Sequence, residues 1–183
     1  MTERSLTSRP IPPVKLAHVV LRSAHYEESI RWYRTVLSAR PVFESPFITF
    51  LTYDDEHHRI AIIEASQATD ALPDAAGVDH IAFTFATIGD LLTTYCRLRD
   101  EGLEPHWCVN HGPTTSMYYR DPDGVQIELQ VDNFENDEDF REWAETGVFI
   151  TNPIGVDIDP ADLCGRYLAG EPERSLRRQE VRS

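Results

Sequence analysis

An internal repeat is the feature of this sequence that most restricts its fold. Each copy opens with a short apolar strand that contains a histidine, His18 in the first copy and His80 in the second. A helical pattern and three strand-like segments follow, and each copy ends on a strand glutamate, Glu64 or Glu128, at a similar distance from its histidine. Such a repeat indicates one supersecondary unit used twice, with the copies packed together. We therefore predict two βαβββ modules, at residues 15–64 and 78–131.

Hydrophobic periodicity predicts one helix in each module. The first helix ends before Pro41 and takes Ser23 as its expected N-cap. In the second, Thr87 and Asp90 resemble a capping box, and the apolar stripe ends at Gly102. The apolar face is Tyr26, Ile30, Tyr33 and Leu37 in the first helix, and Ile88, Leu91, Leu92, Tyr95 and Leu98 in the second.

The segments outside the modules have their own character. Three prolines within residues 1–14 favour an extended N-terminal arm. Residues 132–183 form a C-terminal extension, with helices expected near 138–146 and 161–169 and an Arg-rich end expected to be frayed. The predicted fold class is α+β, in which the two modules form an open mixed-sheet barrel and the extension is helical.

Charge and cysteine usage restrict the partners. A formal net charge of −14 repels phosphate backbones and anionic lipid, so we expect neither nucleic acid nor membrane partners. The three cysteines are odd in number and widely spaced, which suits a reducing compartment better than a disulfide framework. With no secretory apolar region near the N-terminus, the sequence predicts a cytoplasmic protein.

One strand in the second module indicates a metal site. In VQIELQV, residues 125–131, the apolar side chains alternate with a polar set in which Glu128 is central. A buried carboxylate is costly without a partner. His18 and His80, at matching positions of the repeat, can supply two imidazoles, so we predict that these three residues hold one divalent ion. A lone strand histidine is more often a hydrogen-bonded core residue, and the prediction therefore rests on the combination.

Four blocks of residues carry a resemblance to a known family. They are LAHVVLRS at 16–23, HHRIAII at 57–63, GVDHIAF at 77–83 and YYRDPDGVQIEL at 118–129. Over roughly residues 15–131 they resemble the vicinal oxygen chelate superfamily, which includes glyoxalases, bleomycin-resistance proteins and dioxygenases, and above all its single-domain type I extradiol dioxygenases. That resemblance implies Fe(II), or Mn(II), at His18, His80 and Glu128.

The resemblance also implies roles for residues around the metal. His58 corresponds to the acid/base, while His111 and Tyr118 correspond to the side chains that hydrogen-bond substrate or oxygenated intermediates. The implied activity is an oxidoreductase of aromatic catabolism that inserts O₂ into the ring of a catechol-type diol. Enzymes of this kind tend to form homodimers, so we expect a homodimer or a higher homo-oligomer.

Two other functions remain open at this point. A glyoxalase I-like lyase would use Glu64 as a fourth ligand and would suit Ni(II) or Zn(II). A non-catalytic ligand-binding module of the bleomycin-resistance type would need no metal. Strand alternation puts His58 and Glu64 on one face, so the two are expected to point the same way. Without the resemblance, the sequence around His58 predicts only a solvated turn.

Overall fold

The computed structural model describes residues 10–69 and 76–179. Most of the predicted arm (1–9), the middle of the connector between the modules (70–75) and the last residues (180–183) lie outside the described residues. Residues 10–13 are exposed and form neither helix nor strand, as the prolines predict.

The first module folds as the repeat predicts. Its strand order is β1-β4-β3-β2, with β1 parallel to β4 and the other pairs antiparallel. The elements are β1 (Val19–Ser23), α1 (Tyr26–Val36), β2 (Arg40–Glu44), β3 (Ile48–Thr52) and β4 (Ile60–Glu64).

The second module has the same topology, so the internal repeat is confirmed. Its order is β5-β8-β7-β6, with β5 parallel to β8. The elements are β5 (His80–Phe85), α2 (Ile88–Asp100), β6 (Trp107–Asn110), β7 (Thr114–Arg120) and β8 (Gln126–Asp132). The Thr87 hydroxyl accepts a hydrogen bond from the Asp90 amide at 3.0 Å, as expected of the capping box. Each module therefore has its opening strand at one edge of its sheet.

The extension is more ordered than the sequence suggested. It contains α3 (Asp137–Glu145), α4 (Val148–Thr151), β9 (Val156–Asp157), α5 (Pro160–Leu168) and α6 (Glu173–Leu176). Strand β9 pairs with β6 and becomes the fifth strand of the second sheet. Before the end of the described residues, Leu176 is buried and the Gln179 side chain donates to the Asn110 carbonyl. A two-residue strand has too little periodicity to be found in a sequence.

The core lies between the helices and one face of each sheet. Tyr33 of α1 and Leu91 of α2 are fully buried against strand residues such as Ile62 and Ile127. The opposite face of the second sheet carries His80 and Glu128. Among the described residues, no helix is long and apolar enough to cross a membrane.

The start of α1 corrects one prediction. Ser23 is the last residue of β1 and His25 is the N-cap residue. The carboxylate of Asp123, from the DPDG turn of the second module, accepts hydrogen bonds from the Ala24 and His25 amides at 2.8 and 3.3 Å. The two modules are thus joined at a helix N-terminus, where a carboxylate is favoured by exposed N–H groups and by the helix dipole.

Candidate metal centre

Glu128 is positioned by the alternation of β8. Its neighbours Ile127 and Leu129 point into the core and are at most 1% exposed, so Glu128 projects from the opposite face. Across the parallel pair, Gln126 lies opposite His80 and Glu128 lies opposite Ala82. The sequence pattern therefore brings His80 and Glu128 to the same face of neighbouring strands.

His80 lies between two carboxylates. Its Nε2 is 2.9 Å from Glu128 Oε2, and its Nδ1 is 2.7 Å from Asp79 Oδ2. Asp79 can only accept, so Nδ1 carries a proton and Nε2 is the nitrogen available as a ligand. The Nε2 lone pair and a carboxylate oxygen at this separation need a cation between them, either a proton or a metal ion. Glu128 is only 4% exposed, so water cannot take the place of that cation in stabilising the carboxylate.

Tyr118 and His111 extend this arrangement. Tyr118 lies opposite Glu128 on β7, and burial together with the Glu128 carboxylate raises the pKa of its hydroxyl. The same hydroxyl is 3.0 Å from His111 Nε2. Tyr119, the next residue, belongs to the core, as alternation predicts. We call His80, His111, Tyr118 and Glu128 the second half-site, because all four come from the second module.

His18 and His58 form a first half-site in the other module. Their ring centroids are 4.3 Å apart, and the His58 ring stacks on Phe50 at 4.5 Å with an interplanar angle of 13°. Burial, followed by the neighbouring His18 and His57, lowers the pKa of His58. His58 is therefore a base that stays neutral at lower pH than an ordinary histidine.

A cleft lies between the two opening strands. Its cavity of about 490 Å³ is bordered by Val20 on β1 and by His80 and Ala82 on β5. Val19 and Leu21, which also pack against the core, line the same cleft. His18 directly precedes β1, and its ring contacts that of His58. Within the described ranges, no three His, Cys, Asp or Glu side chains converge as an ion site: His80 meets Glu128, whereas His18 contacts His58.

The register of β4 changes the interpretation of Glu64. Val20 lies opposite Ala61, and Ser23 lies opposite Glu64. In the second sheet the strand position that matches Ala61 is Glu128. Glu64 has the parity of the core residue Ile62, and its carboxylate accepts from the Ser66 amide at 2.9 Å.

Two expectations from the sequence are therefore wrong. The similar spacing along the chain predicts that Glu64 is equivalent to Glu128. The hydrogen-bond register contradicts this, because the similar spacing arises from loops of unequal length. His58 and Glu64 also do not share a face, because His58 lies before the start of β4 and its ring packs against His18 and Phe50. Alternation applies only where the strand is continuous.

Several further residues contribute to the site. Asp79 could have been found, since an acidic residue beside a ligand histidine is a frequent partner for its second nitrogen. Trp107, whose ring stacks on Tyr118 at 4.8 Å, gave no signal beyond an aromatic in a strand. The backbone carbonyl of Ile154, 2.5 Å from His111 Nδ1, has no signature in the sequence.

Similarity to known proteins identifies the family of this chain. Residues 15–129 match the Glyoxalase/Bleomycin resistance protein/Dioxygenase superfamily, and the chain belongs to that family. It is 43% identical to biphenyl-2,3-diol 1,2-dioxygenase 3 of Rhodococcus globerulus over 164 residues, which is 88% of this chain and 86% of the relative. Biphenyl-2,3-diol 1,2-dioxygenase 2 of the same organism is also 43% identical, over 86% of this chain and 84% of its own.

A solved structure supports the fold alone. Lactoylglutathione lyase from Agrobacterium tumefaciens superposes with a TM-score of 0.54 at 17% identity, over 66% of this chain and 96% of that one. The predicted α+β fold with paired modules is therefore confirmed.

Proposed function

We propose that this protein is an extradiol dioxygenase that cleaves the ring of a catechol-type diol with O₂. The resident metal is Fe(II), with Mn(II) as the substitute, and its ligands are His18, His80 and Glu128. The two dioxygenase relatives support the reaction class, since each matches more than four fifths of this chain. In this structure the His18 ring contacts His58. The proposal therefore includes a movement of the His18 side chain toward the second half-site.

One observation carries this proposal. Glu128 is a buried carboxylate whose oxygen lies 2.9 Å from His80 Nε2, on the sheet face that borders the cleft. Two imidazoles and one carboxylate suit a non-haem iron that keeps open positions. Bound there, the metal would supply adjacent positions for the diol oxygens and for O₂.

The surrounding residues supply proton transfer and hydrogen bonding. His58, with its lowered pKa, is neutral near pH 7 and can take a proton from the diol as it binds. Tyr118, with its raised pKa, keeps its proton and donates a hydrogen bond at Glu128 or His111. Trp107 stacks on the Tyr118 ring and limits its movement.

The register argues against the glyoxalase alternative. A fourth carboxylate ligand from the first module would be expected at the strand position of Ala61, and an alanine side chain has no ligand atom. Glu64 faces the other side of its strand. Three protein ligands leave room for two substrates, whereas a fourth ligand would occupy one of those positions.

The test is anaerobic reconstitution with Fe(II), followed by a panel of catechols and then oxygen. We expect oxygen uptake and a yellow ring-opened product. Glu128→Gln and His80→Gln should lose at least about tenfold in iron affinity, while Glu64→Gln, the matched control, should bind iron normally. Absence of oxygen uptake, with turnover of methylglyoxal and glutathione under Ni(II) or Zn(II), would assign the lyase function instead.

A further inference from the structure

The C-terminal extension contacts β6 beside His111. Strand β9 pairs with β6 so that Val156 lies opposite Asn110. Immediately before β9, the Ile154 carbonyl lies 2.5 Å from His111 Nδ1. The extension thus reaches the second half-site through its backbone.

Gly155 makes this approach close. A Cβ at this position would lie 2.3 Å from the Asn110 carbonyl oxygen and 2.7 Å from His111 Cα, and its φ of +106° also favours glycine. Asn152 holds the segment from its other side, donating to the Gly155 carbonyl at 2.8 Å and accepting from the Gly155 amide at 3.0 Å. These contacts leave the Ile154 carbonyl little freedom to move.

A backbone carbonyl can only accept a hydrogen bond, so His111 Nδ1 must carry a proton to face it. In the neutral ring, Nε2 then holds the lone pair and accepts from the Tyr118 hydroxyl, 3.0 Å away. Histidine in water favours the opposite tautomer, with its proton on Nε2. The contact with the extension therefore selects a form of the ring that is the minor one in solution.

From these contacts we infer that the C-terminal extension is a positioning element of the catalytic site, which fixes His111 as the Nδ1–H tautomer through the Ile154 carbonyl and Gly155. His111 then exchanges protons with the pocket through Nε2 alone, in line with Tyr118. The assignment of the tautomer rests on geometry, and its catalytic consequence rests on the proposed dioxygenase function.

The direct test is ¹⁵N NMR of the histidine side chains in the full-length, metal-free chain, with His111 assigned by its loss in His111→Gln. We expect a pyrrole-type Nδ1 and a pyridine-type Nε2 in the wild type. Gly155→Ala should move the population toward the Nε2–H form, because the added methyl displaces the Ile154 carbonyl. An Nε2–H ring in the wild type, or an unchanged tautomer in Gly155→Ala, would overturn the inference.

Two further variants separate positioning from general damage. Gly147→Ala carries a similar backbone cost, with φ of +76°, but its Cβ meets nothing within 4 Å, so the His111 tautomer should not change. Asn152→Ala keeps Gly155 and removes only the two hydrogen bonds that hold it. Asn152→Ala should shift the His111 tautomer population in the same direction as Gly155→Ala. It replaces Gly155→Ala as the test if that variant folds poorly.

Kinetics then test the link to catalysis. In the iron-loaded enzyme, Gly155→Ala should lower kcat by about tenfold with little change in KM, and the loss should largely disappear in a His111→Gln background. Equal losses in both backgrounds would contradict a role through His111. If no diol is turned over at all, the NMR result still decides the tautomer, so the two proposals fail separately.

Discussion

Ala61 occupies, in the first sheet, the strand position that Glu128 occupies in the second. Val20 lies opposite Ala61 as Ala82 lies opposite Glu128. The repeat is thus symmetric in backbone and asymmetric in ligands. In the proposed site, a carboxylate on one module alone would give the metal three protein ligands, the arrangement that leaves positions for substrates.

Ala61→Glu tests this asymmetry. The new carboxylate would supply a fourth ligand at the cleft, so we expect iron binding to be retained and ring cleavage to be largely lost. Ala61→Gln adds similar bulk with a weaker ligand and should keep more activity. Steady-state oxygen uptake and metal analysis measure the two effects. Full activity in Ala61→Glu would show that this position does not face the metal.

The His58→Gln variant should lower kcat by about 10²- to 10⁴-fold, the usual contribution of a positioned acid/base. In the wild type, a lowered pKa keeps His58 neutral to lower pH. The apparent pKa on the acid limb of the kcat/KM profile should therefore lie below about 6.5, the ordinary histidine value. A bound metal cation would lower it further.

His57→Gln is the control for that pH profile. His57 raises the cost of protonating His58, so its removal should raise the pKa of His58 and move the acid limb to higher pH. The maximal rate should change little. A profile that does not move would mean that another group controls the acid limb.

Tyr118→Phe and Tyr119→Phe form a matched pair on opposite faces of β7. Loss of the Tyr118 hydroxyl removes the single proton that it donates to His111 beside Glu128, and we expect kcat to fall by roughly 10- to 100-fold while iron affinity is retained. Tyr119 lies in the core, so its variant should keep wild-type kinetics. Similar losses in both variants would indicate disturbed packing.

Tyr33→Phe should destabilise the fold by about 1–3 kcal/mol, because the fully buried Tyr33 hydroxyl donates to Asp121 at 2.9 Å. Tyr119→Phe should be neutral or stabilising, since among the described residues the buried Tyr119 hydroxyl has no hydrogen-bond partner. Urea unfolding of the two variants against the wild type measures this difference. An equally large loss of stability in Tyr119→Phe would show that the Tyr119 hydroxyl does make a hydrogen bond.

The cost of Tyr33→Phe should also depend on pH. Burial raises the pKa of Asp121, while the Tyr33 hydrogen bond lowers it. Stability from this carboxyl is therefore present at low pH and declines as pH rises through the raised pKa. Removing Tyr33 raises that pKa further, so the deficit of the variant should shrink as the pH falls.

The repeat, the two helices and the approach of His80 to Glu128 could be predicted from the sequence because each depends on local patterns. Alternation alone places Tyr118 and Tyr119 on opposite faces of β7, as the structure shows, but it does not say which of them faces the site. Glu64 was matched to Glu128 because the two lie at similar distances from their histidines along the chain. Those distances include loops of different length, so equivalent positions in the two sheets can be found only from the hydrogen-bond register. The contact between His111 and Ile154 could not be predicted, because it depends on a backbone atom that a distant segment brings into place.

The contact of Asp123 with the start of α1 has a consequence for how the chain folds. The Ala24 and His25 amides, just before that helix, find their acceptor in a turn about a hundred residues later, so an isolated first half would begin its helix without this partner. A duplicated ancestor could have consisted of two self-sufficient halves. Here they have become mutually dependent, and they should gain and lose structure in a single cooperative transition.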